Sequence, residues 1–196
     1  SIIISSKKVK FIFDKIKGYV TSYSVDNQEY IHDSFGFQPN FWRGPTDNDY
    51  GNGAPRRQQI WKLMSKNYQC STEQAYNSTA KCAVLIATYK LVSKRTYSII
   101  YQIYANGVIR MNMKFIGSTG TDNQIDIPRI GQRFRIPIDF NIIEYFGRGP
   151  EENYWDRNNG SHISRYKSFV DDLYYPYVRP QENGHHIDTK WLFVFD

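Results

Sequence analysis

No apolar run in these 196 residues approaches the ~18 residues that a helical membrane span requires. The opening Ser1-Ile2-Ile3-Ile4-Ser5 is too short for the apolar region of a signal peptide, and a removed leader would leave no trace. Cysteine is scarce, with only Cys70 and Cys82. They flank a segment that can turn at Asn77-Ser78, so a hairpin disulfide contributing about 3 kcal/mol is one reading. Two buried free thiols are the other and the commoner one, and no CxxC or neighbouring histidine points to zinc. Also missing are a nucleophile elbow, a phosphate loop and a dinucleotide fingerprint. Without an alternating βα rhythm there is no parallel α/β sheet. Repeats, low-complexity tracts and interdomain linkers are absent too, so residues 1–196 are expected to form a single domain.

Aromatic residues are plentiful: sixteen tyrosines, twelve phenylalanines and four tryptophans, within 40% hydrophobic content. That excludes a disordered tail and fills a sizeable core. The net charge is +6, but the basic residues do not gather as a nucleic-acid footprint requires. Lys7, Lys8, Lys10, Arg56, Arg57, Lys94, Arg95, Arg129, Arg133 and Arg135 are scattered among acidic neighbours. Neither nucleic acid nor membrane is expected as a partner.

Period-two alternation dominates. In Ile109-Arg110-Met111-Asn112-Met113-Lys114-Phe115 four apolar side chains share one face, the pattern of a half-buried antiparallel strand. The β-branched and aromatic segment 95–104 precedes it across Asn106-Gly107, a hairpin signal of the type I′ kind. Further strands are predicted over 9–13, 17–25, 68–76, 81–91, 130–136, 140–146 and 190–195. One short helix is predicted from Arg57 to Lys66, with Ile60, Leu63 and Met64 around Trp61. The fold class is all-β, a large antiparallel β-sandwich with long loops. The chain stops in Trp191-Leu192-Phe193-Val194-Phe195-Asp196, which reads as part of a buried strand, so a fragment truncated at its C-terminal end is expected.

Three loops are unusual. In Asn40 to Gly53, Trp42 offers a flat face for a sugar ring, while Asp47, Asn48, Asp49 and Arg43 supply acceptors and donors that read hydroxyls. Asp-Asn-Asp also resembles a calcium loop, but an Asp47 start puts Gln58 where an EF-hand needs glutamate. The plainer reading is that these side chains tie the loop to its own backbone and cap the following helix. Gly51-Asn52-Gly53 has the backbone freedom of a lid. The second loop is Tyr145 to Arg157 and the third Gln181 to His186. Glu151 or Glu152 with Glu182 has the composition of a glycosidase carboxylate pair, although ion pairing with Arg148 and Arg157 is the commoner use. Adjacent His185 and His186 point to opposite faces of a strand and do not share a metal. Asn77-Ser78-Thr79 and Asn159-Gly160-Ser161 match the glycosylation pattern only as chance allows.

Four motifs come in order: Phe41-Trp42-Arg43-Gly44-Pro45-Thr46-Asp47-Asn48-Asp49, Pro128-Arg129-Ile130-Gly131, Tyr145-Phe146-Gly147-Arg148-Gly149-Pro150-Glu151-Glu152-Asn153-Tyr154-Trp155-Asp156-Arg157, and Tyr177-Val178-Arg179-Pro180-Gln181-Glu182-Asn183-Gly184. Together they resemble the C-terminal "small chain" domain of the large bacterial β-galactosidases of glycoside hydrolase family 2. Phe11 to Tyr30 resembles that domain's first strands.

The resemblance implies a distorted antiparallel supersandwich similar to galactose mutarotase. It implies retaining hydrolysis of β-galactosides such as lactose by two glutamates in a separate (β/α)₈ barrel, with magnesium and sodium bound there. This chain is then non-catalytic and without cofactor, completing the sugar pocket beside the barrel in an enzyme that is often a dimer or tetramer. The loop from Gly51 to Arg57 is expected at the pocket mouth, where it swings. Two departures are visible: Pro55 stiffens that loop, and the family's late sugar-stacking tryptophan lies beyond Asp196. A free-standing galactoside-binding module using Trp42, Asp47 and Asn48, and a mutarotase-like epimerase using His185 or His186 with Glu182, are the alternatives. The two cysteines fit bacterial cytoplasm and periplasm equally.

Overall fold

The computed structural model describes residues 1–117 and 125–196. These form two compact units, Ser1–Trp42 with Arg56–Ile136, and Arg43–Pro55 with Pro137–Asp196. Both are built on antiparallel strands, as the alternation predicts.

In the first unit β1 (Ile2–Ser5), β2 (Val9–Asp14), β3 (Tyr19–Val25) and β4 (Gln28–Glu29) make one sheet. Asp26 and Asn27 join β3 to β4 with φ of 49° and 69°, so the two-residue turn with both angles positive lies here. β5 (Gln38–Asn40) follows. The second large sheet runs in order β6 (Gln69–Asn77), β7 (Cys82–Lys90), β8 (Thr96–Tyr104), β9 (Ile109–Ile116). The expected hairpin over β8 and β9 is present, but its turn differs. Only Gly107 has positive φ, 95°, and its N–H donates to the Tyr104 carbonyl at 3.1 Å. This is the three-residue loop with a glycine in the left-handed position. β10 (Gly131–Arg133) pairs with β5.

The sandwich core follows from the period of two. Leu85, Ala87 and Tyr89 on β7 and Tyr97, Ile99 and Tyr101 on β8 are all buried on one face, opposite one another in register. Phe11, Phe13 and Val20 from the first sheet complete the same cluster. Phe11 meets Tyr101 with ring centroids 5.7 Å apart, and the Tyr89 hydroxyl donates to the Gly18 carbonyl at 2.8 Å. The expected helix narrows to Gln59–Met64. It buries Trp61 and Met64, while Leu63 is 47% exposed, so the apolar stripe is narrower than expected. Another short helix covers Ala54–Arg57.

Both cysteines are free. Cys70 lies opposite Tyr89 and Cys82 opposite Asn77, at opposite ends of the hairpin. Seven residues of strand separate those positions, about 23 Å, against the roughly 7 Å between Cα atoms that a disulfide tolerates.

In the second unit β11 (Ile142–Gly149) is flanked by β12 (His162–Phe169) and β13 (Trp191–Phe195), both antiparallel. β11 runs past the expected end at 146 because Gly147 and Gly149 continue it. A Cβ on Gly149 would collide with the Tyr145 hydroxyl.

Candidate functional site

The loop that opens the second unit is organised by Asp49. Thr46 caps a helix over Asp47–Gly51, its side chain accepting from the Asp49 N–H while the Asp49 carboxylate accepts from the Thr46 N–H. This is a capping box with aspartate in the usual glutamate position. Both terminal guanidinium nitrogens of Arg43, Nη1 and Nη2, donate to the same carboxylate, Nη2 to Oδ1 at 3.2 Å. Burial pushes the Asp49 carboxyl up. The Arg43 hydrogen bond, the Thr46 donors and the Arg43 charge outweigh it and hold the group below the usual aspartate range.

Asp47 and Asn48 point elsewhere. With Thr46 they line a cleft of about 480 Å³ whose other walls are Glu151, Glu152, Arg157, Tyr175, Tyr177 and Gln181. All nine come from the second unit. Side chains fasten the three loops around it. The Gly44 N–H donates to Glu182 Oε2 at 2.6 Å. The Asp47 N–H donates to Gln181 Oε1 at 3.3 Å and Gln181 Nε2 donates back to Asp47 Oδ2 at 3.2 Å. Arg157 Nη2 reaches Glu152 at 3.2 Å and the Tyr177 hydroxyl at 2.7 Å, and its guanidinium lies 4.2 Å from the Tyr154 ring centroid. Glu152 in turn accepts from the Gly184 N–H at 2.7 Å. Asn153 is fully buried, donating to the Arg148 and Glu151 carbonyls and accepting from the Ile187 N–H.

Eight of the nine lining residues lie in three of the four motifs singled out in the sequence, and Tyr175 lies just outside them. The family model described as beta galactosidase small chain matches residues 5–196. The chain belongs to that family. This small-chain domain is 33% identical over 189 residues to a beta-galactosidase of Priestia megaterium, covering 93% of this chain and 17% of the relative. A Kluyveromyces lactis beta-galactosidase is 33% identical over 208 residues, covering 97% and 19%. One from Halalkalibacterium halodurans is 27% identical over 194 residues, covering 98% and 19%. The chain therefore spans less than a fifth of the length of these curated relatives.

Within the small-chain domain the residues expected at a sugar site divide. Asp47 and Asn48 reach the cleft, and Asn48 Nδ2 lies 3.5 Å from Asp156 Oδ2. Asp49 is spent on Arg43 and Thr46. Gly51 ends the capped helix, Asn52 follows it and accepts from the Ala54 N–H at 2.9 Å, and Gly53 turns with φ of 73°. Trp42 belongs to the first unit, packed against its core with Lys62 Nζ 5.9 Å from the ring centroid.

Of the carboxylates considered as a pair, Glu152 is bound to Arg157, and Glu182 accepts from Gly44. Arg148 pairs with Asp188 at 2.7 Å rather than with a glutamate. His185 stacks on Tyr154 with Nδ1 2.9 Å from the Asn153 carbonyl. His186 Nδ1 lies 3.1 Å from the Tyr145 hydroxyl and 3.1 Å from the Arg148 carbonyl. The groups an epimerase reading needs are thus held by different neighbours. Among the described residues no group of three or more His, Cys, Asp or Glu side chains is arranged to hold a metal ion. Tyr175 is the cleft residue that sequence reasoning missed, whereas Arg157 was named there as an ion-pair partner of the glutamates, which its pairing with Glu152 bears out. The aromatic run Tyr174-Tyr175-Pro176-Tyr177 was the signal available for Tyr175.

Proposed function

We propose that this chain is an accessory domain of a retaining β-galactosidase that hydrolyses terminal β-galactosides such as lactose. The catalytic glutamates, with magnesium and sodium, belong to a barrel elsewhere in the same polypeptide. This domain completes the sugar pocket beside that barrel within a homo-oligomer. Asp47 and Asn48 present polar groups to the sugar, and the Gly51–Gly53 turn sits at the pocket mouth. The observation that carries the reading is that relatives named beta-galactosidase extend more than five times the length of this chain. Support also comes from a cleft that is polar and aromatic but whose glutamate Glu152 is committed to Arg157.

A proton NMR time course tests it. The full-length enzyme should release glucose from lactose, with the β-anomer of galactose appearing first. The 196-residue chain alone should release none. Glucose from the chain alone would place the catalytic groups here and overturn the reading. Faster loss of the α-galactose signal without hydrolysis would move it to an epimerase.

A further inference from the structure

The cleft of the second unit holds two tyrosines that are pinned in place, and the surface of Tyr175 stays open. Tyr175 is 50% exposed, yet its N–H donates to Asn183 Oδ1 at 3.0 Å and its carbonyl accepts from Asn183 Nδ2. Tyr177 accepts from Arg157 through its hydroxyl at 2.7 Å, and the two rings stand 4.7 Å apart at 53°. An exposed aromatic ring costs less to use in binding when its backbone is already ordered, because little freedom is lost on contact. Facing the rings are Asp47, Asn48 and Glu151, an arrangement of flat apolar surface beside several acceptors and an amide. A volume of about 480 Å³ is in the range of small-molecule pockets, about 300–1,000 Å³.

Charge narrows the ligand further. Three carboxylates line the cleft (Asp47, Glu151 and Glu152) against one guanidinium, Arg157. Arg179, 3.7 Å from Asp47, adds a second. The excess is negative, so an anionic ligand meets repulsion while a neutral polyhydroxylated one does not.

We infer that this cleft is a binding site, complete within this chain, for a neutral pyranoside. Tyr175 is the stacking surface, and Asp47, Asn48 and Glu151 read hydroxyls and exclude uronates and sugar phosphates. This deepens the carbohydrate reading above and rests on it for the sugar class. It does not need the barrel, because every lining residue comes from one unit.

An amide NMR titration of the 196-residue chain with methyl β-galactoside, lactose and galacturonate tests it. The neutral sugars should give saturable shifts confined to residues 46–48, 151–157 and 175–181, with galacturonate at least about tenfold weaker. Tyr175→Ala should weaken neutral binding roughly tenfold with the melting temperature unchanged. Glu151→Gln leaves the rings in place and should narrow the gap between galacturonate and the neutral sugars. Absence of saturable shifts with the neutral sugars overturns the inference, as does undiminished binding by a folded Tyr175→Ala variant or preference for galacturonate. A chain that binds while the full-length enzyme hydrolyses no galactoside loses the proposed function and keeps the site. Hydrolysis without binding by the chain does the reverse.

Discussion

Gly44 and Glu182 clasp each other across 138 residues of sequence. The Gly44 N–H donates to Glu182 Oε2 at 2.6 Å, and the Glu182 N–H returns a bond to the Pro45 carbonyl at 3.1 Å. A Cβ on Gly44 would stand 3.0 Å from that carboxylate oxygen and 3.3 Å from the Glu182 Cα. The oxygen can move aside, but the backbone atom cannot. Gly44→Ala should therefore lower stability by about 1–3 kcal/mol. Glu182→Ala should cost about 1–3 kcal/mol by leaving the Gly44 N–H without this acceptor, and the double variant should cost less than the sum. Urea unfolding followed by fluorescence reads all three. An unchanged midpoint for Gly44→Ala would mean that the clasp contributes nothing.

Asp49 predicts a pH dependence of definite sign. Its folded carboxyl titrates below its unfolded value of about 3.9, because the Arg43 and Thr46 donors outweigh burial. The stabilisation is complete above that unfolded value and is lost as pH falls through the lower folded one. Asp49→Asn should destabilise the chain at pH 7 and flatten the fall in stability as pH drops below the unfolded value of about 3.9. A variant as acid-sensitive as the parent below that value would assign the loss to other carboxylates.

The first unit was legible where one face of a strand is buried. Leu85 to Tyr89 and Tyr97 to Tyr101 alternate because a sandwich requires it, and the sequence writes that period openly. β12 was not legible. His162–Phe169 is largely exposed, so no burial imposes an alternation on its residues. β5 contains Pro39 and polar residues, yet it is buried throughout and pairs with the distant β10, with Arg133 donating to Gln38 Oε1 at 3.0 Å. Such long-range pairing leaves no local signal. In the site, Asp47 and Asn48 were singled out as polar groups and reach the cleft, whereas for Asp49 the plainer reading holds, that the side chain ties the loop to its own backbone. Thr46-x-x-Asp49 is a capping box with the less common acid, and only the position of Arg43 decides how the carboxylate is used.

Phe41 links the first unit's core to the start of the site loop. Its ring is fully buried, in edge contact with Tyr97 at 5.3 Å and near Trp61 at 6.2 Å. Its N–H donates to Ser65 Oγ at 2.8 Å. Phe41→Ala should cost about 3–5 kcal/mol, whereas Phe41→Leu, which leaves a smaller cavity, should cost less. Thermal unfolding with near-ultraviolet circular dichroism checks the order. Equal losses for the two variants would mean that the site collapses around either side chain.

The two thiols give the last prediction. Cys82 is 1% exposed, and burial pushes the Cys70 thiol up to about 11, with a Tyr89 hydrogen bond opposing the rise. At pH 8 such a thiol is ionised about one part in a thousand, so Cys70 should react roughly a hundredfold more slowly than a free cysteine. Lack of access protects Cys82 as well. Thiol titration should find almost no rapid reaction in the native chain and two equivalents in denaturant, with the same intact mass before and after reduction. A mass that rises by two hydrogens on reduction would mean a bonded pair, and the β6–β7 register would then have to shift by several residues to bring Cys70 and Cys82 together. One thiol reacting quickly in the native chain would instead show that the β6 face around Cys70 opens to solvent.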